Sequence, residues 1–171
     1  VCAAMAMAEK KLNFEHRDLH WGNILCQKTE TKYLEIAYTE NATLKINCFG
    51  INVTIIDFSL SSIKTPCFDI GTDLADEVSF FEGEGDYQFE IYRKMKKLLN
   101  NTWIKNHNFE TNVFWLDYLI EKLIIKLEDN DQVSISEDGS KEYFKDWKEY
   151  ILYSKSCYEI IDKYFIQIIN E

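Results

Sequence analysis

Eight consecutive residues near the start of the chain constrain its fold most: His-Arg-Asp-Leu-His-Trp-Gly-Asn, at positions 16–23. The residues on either side of this polar stretch favour short extended pieces, and Gly22 permits a tight backbone between them. Further along the chain, Asp57 ends a run of β-branched residues that is typical of a strand. We therefore predict that Asp18 and Asn23 lie in one loop and that Asp57 reaches the same place from a neighbouring strand.

Outside this motif, the residue pattern predicts an α+β fold that is mainly α. Apolar residues recur every three or four positions at the start of the chain and through its second half, as in amphipathic helices. β-Branched and aromatic residues between the two motifs favour a hairpin that leads into a third strand. The predicted elements are a helix at 1–12, extended pieces at 14–17 and 24–27, strands at 33–39, 43–49 and 52–56, a long loop at 58–85, and a helical region at 86–171 with helices after Asp86 and at 113–127, 141–153 and 157–169.

Composition limits the classes of protein to which the chain could belong. Its 171 residues are 46% hydrophobic, which is enough for the core of one domain. A net charge of -10 argues against non-specific binding to nucleic acid or anionic membranes and favours a cationic partner. The five cysteines are scattered and contain no Cys-x-x-Cys pair, so neither a disulfide framework nor a zinc site is indicated. No apolar run approaches the length of a membrane span.

The polar residues of the two motifs match the needs of phosphoryl transfer. That reaction requires a carboxylate to orient and deprotonate the acceptor hydroxyl, and oxygen ligands that hold Mg²⁺ across the phosphates of ATP. Asp18 is the candidate base, while Asn23 and Asp57 are candidate ligands for the metal and its nucleotide. The catalytic loop 16–23 and the metal-binding motif 57–59 therefore indicate a kinase. Three more residues are predicted to give the loop its shape: His16, Arg17 and His20.

Two further stretches make the resemblance more specific. They read Gly-Glu-Gly-Asp-Tyr-Gln-Phe-Glu-Ile-Tyr-Arg at 83–93 and Asn-Val-Phe-Trp-Leu at 112–116. Together with the two motifs, they resemble haspin, the atypical Ser/Thr kinase family of eukaryotes, from about residue 12 to residue 125. The resemblance implies an enzyme that uses ATP and Mg²⁺ to phosphorylate a threonine of the histone H three tail. It also implies a nuclear protein that associates with chromosomes and is active during mitosis. A cytoplasmic fraction is compatible with the resemblance as well.

The same resemblance points to residues that would bind the substrate. Haspins bind their basic tail through acidic residues, and the stretch before their next helix corresponds here to Glu84 and Asp86. Seven acidic residues fall between positions 69 and 86, which suits a partner rich in lysine and arginine. The alternative for most of them is a solvated acidic loop, and Asp86 could instead cap the helix that follows. No contact with a specific nucleic acid sequence or with a membrane is expected.

Other features leave alternatives open. The sequence contains no glycine-rich strand and no Lys–Glu pair for the nucleotide phosphates, so we expect a partial kinase domain over 1–171, with its N-terminal lobe absent. Ser59 stands where kinases generally have glycine, and the loop at 63–81 is somewhat longer than expected. One alternative is a phosphotransferase that acts on small cations such as aminoglycosides or choline. The other is an inactive, truncated lobe that only binds a basic tail.

Overall fold

The computed structural model describes residues 1–40, 43–100, 102–129 and 140–164. Within these ranges the chain is an α+β protein in which helices dominate, as predicted, with small antiparallel sheets. The helices are α1 (Cys2–Leu12), α2 (Val78–Glu82), α3 (Tyr87–Leu99), α4 (Glu110–Asp129), α5 (Ser140–Leu152) and α6 (Cys157–Tyr164). The strands are β1 (Phe14–Glu15), β2 (Ile24–Lys28), β3 (Tyr33–Ala37), β4 (Thr43–Asn47), β5 (Ile51–Ile55), β6 (Ser62–Lys64) and β7 (Asp69–Ile70).

The sheet formed by β2 and β5 brings the two sequence motifs together. These strands pair antiparallel, with Ile24 opposite Ile55, so the residues just outside the pair are neighbours as well. The backbone N–H of Ile56 donates to the carbonyl oxygen of Asn23 at 3.0 Å, which extends the pairing by one step. Asn23 therefore ends the catalytic loop beside the strand that delivers Asp57. The predicted hairpin also forms, from β3 and β4, while the third predicted strand, β5, pairs with β2.

Two sequence-based boundaries were wrong. The segment 58–85, predicted as a loop, contains β6, β7 and α2. Strand β6 pairs with β1, which is far away in sequence, and such non-local pairing is not visible in local composition. The extended piece predicted at 14–17 ends at Glu15, because Arg17 has a left-handed backbone with φ 65°. The predicted linker at 129–140 and the end of the last predicted helix, 165–169, fall almost wholly outside the described residues.

Helix α4 is the centre of the core on which the catalytic loop rests. Its side chains Trp115 and Tyr118 are fully buried. Helices α3 and α5 pack against α4, and α1 packs against α6. Burying a large aromatic side chain stabilises a fold by about 1.5–3 kcal/mol, so α4 is a rigid support. Among the described residues, no helix is both long and apolar enough to cross a membrane.

Two of the helix starts follow their sequence patterns. The Asp86 side chain caps α3 by accepting the backbone N–H of Gln88 at 2.9 Å. At the start of α6, Ser156 Oγ accepts the backbone N–H of Glu159 at 2.9 Å, which is one half of a capping box. The carboxylate of Glu159 closes the box one residue early, since it accepts the N–H of Lys155.

Candidate active site

Asn112, on α4, attaches the start of the catalytic loop to the core. Its amide oxygen accepts the backbone N–H of His16 at 2.9 Å. Its amide nitrogen donates to the carbonyl oxygen of Phe14 at 2.9 Å and to Glu9 Oε1 at 3.0 Å. The side chain is fully buried, and a buried amide that lost these partners would be costly. Asn112 thus fixes the position from which the loop begins.

The His16 side chain connects the loop to the strand that carries Asp57. Its Nδ1 accepts the backbone N–H of Asp18 at 3.3 Å, so the ring proton lies on Nε2, which is 3.2 Å from the carbonyl oxygen of Ile56. Burial lowers the pKa of His16, which keeps the imidazole neutral near pH 7. His16 is thus placed to hold the loop against the strand after β5, rather than to carry charge.

Arg17 lies entirely inside the protein. Its Nε and Nη2 donate to the two carboxylate oxygens of Glu15, each at 3.2 Å. The remaining donors bond to backbone carbonyls, Nη1 to Trp103 at 2.6 Å and Nη2 to Asn106 at 3.2 Å. The guanidinium therefore ties the loop to the connection between α3 and α4, and its charge is used within the fold.

Glu15 is saturated with donors. Besides Arg17, it accepts the hydroxyl of Thr111 at 2.7 Å and the backbone N–H of Asn108 at 2.9 Å, and His107 Nδ1 lies 2.7 Å from its Oε1. Burial raises the pKa of Glu15, but the hydrogen bonds from His107 and Arg17 outweigh burial and hold the pKa below its usual value. This carboxylate is a structural anion.

Asp18 is buried as well, with 8% of its surface exposed, but its donors are neutral. The hydroxyl of Tyr92 on α3 donates to Oδ1. The amide nitrogen of Asn23 donates to the backbone carbonyl of Asp18 at 2.8 Å and lies 3.4 Å from Oδ2. Burial raises the pKa of Asp18 above its usual value. A carboxylate in this state is suited to accepting a proton.

His20 lies on the exposed side of the same carboxylate. Its Nε2 is 3.8 Å from Asp18 Oδ1, and its Nδ1 accepts the backbone N–H of Gly22 at 3.1 Å. That bond caps the 3₁₀ turn Trp21–Asn23, which turns the chain so that Asn23 faces back toward Asp18. His20 therefore shapes the loop and places a polar ring at the entrance to the site.

Asp57 is exposed, in contrast to Asp18. Its backbone is left-handed, with φ 59°, and its Oδ1 accepts the backbone N–H of Ser59 at 3.2 Å. Hydrogen bonds from Ser59 hold the pKa of Asp57 below its usual value, so the group is anionic at neutral pH. It contributes little to the core and is available to a ligand.

Asn23 and Asp57 fit the donor chemistry of Mg²⁺. A side-chain amide oxygen and a carboxylate are hard oxygen ligands, and Mg²⁺ commonly uses one or two protein oxygens together with water and phosphate. The described residues contain no group of three or more His, Cys, Asp or Glu side chains arranged to hold a metal. A closed site built only from protein ligands is therefore not present in the described part of the chain, and the two-oxygen arrangement is the candidate.

The two candidate substrate-binding acids have different surroundings. Asp86 is half-buried, and both its oxygens are engaged, Oδ1 with the N–H of Gln88 and Oδ2 with Lys122 Nζ at 2.6 Å. Burial raises its pKa, but the bonds from Gln88 and Lys122 outweigh burial and lower the pKa overall. Glu84 is exposed to solvent. Of the two, Glu84 is the more accessible to a cationic partner.

Sequence reasoning missed two residues of this site. Tyr92 falls in the family stretch at 83–93 and in the helix predicted after Asp86, but sequence reasoning gave its hydroxyl no role, although a buried tyrosine needs a partner for its hydroxyl. Asn112 was noted only as part of a family motif, although a polar residue at the start of a predicted apolar helix requires buried partners. Both contacts join residues more than seventy positions apart, so the sequence offers a reason to look for partners but does not identify them.

Comparisons with known proteins place the sequence in a family. The sequence model of a family described as Haspin like kinase domain matches residues 1–149. The serine/threonine-protein kinase haspin of Mus musculus is 46% identical over 128 residues, which is 74% of this chain and 17% of that protein. Haspin homologs of Drosophila melanogaster and Arabidopsis thaliana are 37% and 42% identical, over 72% of this chain.

The chain spans about a fifth of the length of these relatives, between 17% and 22%. The match nevertheless covers the catalytic loop, the metal-binding motif, the acidic stretch and the start of α4. With the family model matching most of its length, this chain belongs to the haspin-like kinase family.

Proposed function

We propose that this chain is the C-terminal lobe of a Ser/Thr protein kinase that transfers the γ-phosphate of ATP to a threonine in a basic histone tail. The observation that carries the proposal is that Asn23 bonds to the buried Asp18 and that the pairing of β2 with β5 places Asp57 beside the end of the same loop. In the proposed site, Asn23 and Asp57 supply the oxygen ligands. Membership of a protein kinase family supports the same reaction.

In this mechanism, the chain's own residues orient the acceptor and receive its proton. The acceptor hydroxyl donates its proton to Asp18 as its oxygen bonds to the γ-phosphorus, and the bond from that phosphorus to the leaving ADP oxygen breaks. Asn23 and Asp57 would hold Mg²⁺, which when bound neutralises charge on the phosphates. The neutral His16 and the internally paired Arg17 keep the loop in place without adding charge near the phosphates.

The surface next to the site supports a basic peptide as the acceptor. Glu84 is exposed immediately before α3, the helix that carries Tyr92 to Asp18. Arg93 fixes this acidic segment, since its Nη1 donates to the carbonyl oxygens of Phe81 at 3.1 Å and Gly83 at 3.2 Å. The acids of the segment are exposed, except for the half-buried Asp86: Asp69, Asp73, Asp76, Glu77, Glu82 and Glu84. An exposed anionic surface of this kind attracts lysine and arginine.

We further propose a nuclear location on chromosomes, because a histone tail as substrate requires contact with chromatin. A fluorescent fusion of the natural protein, followed through the cell cycle, would test this. Location on mitotic chromosomes is expected, and a protein excluded from the nucleus in all phases would contradict the proposal.

The proposed activity is tested with the natural protein that contains this chain, Mg-ATP and three acceptors. These are a basic peptide with one threonine, the same peptide with valine in its place, and a cationic aminoglycoside. We expect phosphate transfer to the threonine peptide only. Transfer to the aminoglycoside would favour a small-molecule phosphotransferase, and peptide binding without transfer would favour a non-catalytic binding module.

A further inference from the structure

Tyr92 is the one tyrosine of α3 whose hydroxyl reaches the catalytic loop. The residue is 3% exposed, and its hydroxyl donates to Oδ1 of Asp18, 74 positions earlier in the sequence. The other tyrosine of this helix, Tyr87, donates to Asp117 Oδ2 at 2.8 Å instead. Both side chains are tyrosines of the same helix, but their hydroxyls bond to different carboxylates.

The Tyr92 ring is fixed by two aromatic neighbours. Its centroid lies 4.7 Å from that of Phe80 on α2 and 5.3 Å from that of Trp115 on α4, the latter in an edge-to-face contact. Rings packed on two sides at such distances have little rotational freedom. The hydroxyl is therefore a preorganised donor, held in place by three helices.

The two carboxylate oxygens of Asp18 have different hydrogen-bond partners. Oδ1 receives the Tyr92 hydroxyl and lies 3.8 Å from His20 Nε2, while the contact of Oδ2 within the described part of the chain is the amide nitrogen of Asn23, at 3.4 Å. At that distance the Asn23 contact is weak, and the Asn23 amide bonds more closely to the backbone carbonyl of Asp18, at 2.8 Å. Oδ2 is therefore the oxygen that can take a new hydrogen bond.

We propose that Tyr92 is a positioning residue for phosphoryl transfer, holding Asp18 by Oδ1 so that Oδ2 receives the proton of the acceptor hydroxyl. This inference rests on the proposed function, because Asp18 must be the base. The proton passes from the acceptor oxygen to Oδ2, the acceptor oxygen bonds to the γ-phosphorus, and ADP leaves. Tyr92 keeps its own proton throughout and does not touch the substrate.

The first arm of the test needs no enzymatic activity. Urea unfolding of the natural protein that contains this chain is measured for the wild type, Tyr92→Phe, Asp18→Ala and the double variant. Phenylalanine keeps the ring contacts with Phe80 and Trp115, so Tyr92→Phe removes the hydroxyl and retains the packing of the ring. We expect Tyr92→Phe to raise the unfolding constant about tenfold when the Asp18 carboxylate is present and to leave it nearly unchanged in the Asp18→Ala background, where the hydroxyl has lost its acceptor.

Tyr87→Phe is the matched control for this cycle. It removes a tyrosine hydroxyl bonded to a carboxylate from the same helix, and its effect should be equal with or without the Asp18 side chain. Equal effects of Tyr92→Phe in the two backgrounds would overturn the proposal, because the hydroxyl would then not act on Asp18.

The second arm uses the natural protein with Mg-ATP and the threonine peptide. Tyr92→Phe should lower kcat about 10- to 100-fold with KM for peptide and ATP unchanged, while Tyr87→Phe leaves both constants unchanged. An unchanged kcat, or a loss that appears only in KM, would overturn the positioning role. If the wild-type protein transfers no phosphate, the proposed function fails, and the unfolding cycle separately decides whether Tyr92 holds Asp18.

Discussion

Glu15 and Asp18 are two buried carboxylates only three residues apart, yet their surroundings are opposite in kind. Glu15 has a guanidinium, an imidazole, a hydroxyl and a backbone N–H around it. Asp18 has one tyrosine hydroxyl and one distant amide on its oxygens, and the imidazole of His20 lies 3.8 Å from Oδ1. Burial raises the pKa of both groups, and only at Glu15 do the partners reverse that effect.

The difference separates a carboxylate that supports the fold from one that is available for chemistry. A carboxylate that accepts several hydrogen bonds and lies beside a cation is stabilised in its ionised form, so it does not readily take up a proton. An anion that is buried with few, neutral donors is destabilised and gains from a proton, as a general base must. The contrast supports the proposal that Asp18, rather than Glu15, receives the proton of the acceptor.

Substitution of Asp18 is the strongest test of the difference between the two carboxylates. In the natural protein, Asp18→Asn should lower kcat by about 10²–10⁴-fold, the usual contribution of a general base. The folded state should be at least as stable as the wild type, because the substitution removes a poorly compensated buried charge. Peptide phosphorylation and urea unfolding of the same preparation measure both effects. Unchanged turnover would remove Asp18 from the role of base.

Whereas Asp18→Asn should mainly lower kcat, Glu15→Gln should mainly lower the stability of the folded state. It leaves the buried guanidinium of Arg17 without its anion, and breaking one partner of a buried pair costs about 3–5 kcal/mol. Urea unfolding of the natural protein that contains this chain measures the loss. Glu90→Gln is the control, since Glu90 pairs with Arg93 at the surface, where an ion pair contributes about 0.2–1 kcal/mol. Losses of equal size would contradict the structural role of Glu15.

The pH dependence of stability sharpens the same point. The pKa of Glu15 in the folded state lies below its ordinary value of 4.5. The contribution of ionised Glu15 to the free energy of unfolding is therefore complete above pH 4.5. It is lost as the pH falls through the folded-state pKa. The Glu15→Gln variant should lack this part of the acid dependence, so its stability should change less than that of the wild type below pH 4.5.

Asp57 extends the comparison to an exposed carboxylate. Asp57→Asn should weaken binding of Mg-ATP about tenfold or more while leaving unfolding nearly unchanged, because the side chain is exposed and is hydrogen-bonded to the neighbouring Ser59. Titration calorimetry with Mg-ATP on the natural protein measures the affinity, and Ser59→Ala tests whether the supporting hydroxyl matters. Normal nucleotide affinity in Asp57→Asn would argue against its role as a ligand.

Much of this site could be predicted from sequence because its chemistry is local. Asp18 and Asn23 belong to one eight-residue motif, and Asp57 follows a recognisable strand, so their convergence needed only the antiparallel pairing of β2 with β5. The supports of the site could not be predicted, because they come from distant helices. Tyr92 and Asn112 reach the loop through tertiary packing, which periodicity describes only as a buried face.

The acidic surface should show the smallest effect, and it separates substrate binding from the catalytic carboxylates. Glu84→Gln in the natural protein should raise KM for the basic peptide up to about fivefold with kcat unchanged, since an exposed pair contributes at most about 1 kcal/mol. Glu35→Gln, an exposed acid on β3, is the matched control and should have no effect. Raising the ionic strength to about 1 M shortens the screening length to about 3 Å, so the difference between the two variants should disappear. A KM effect that persists in high salt would mean that Glu84 acts through a desolvated contact or through loop structure, and the electrostatic account of substrate choice would then have to be replaced.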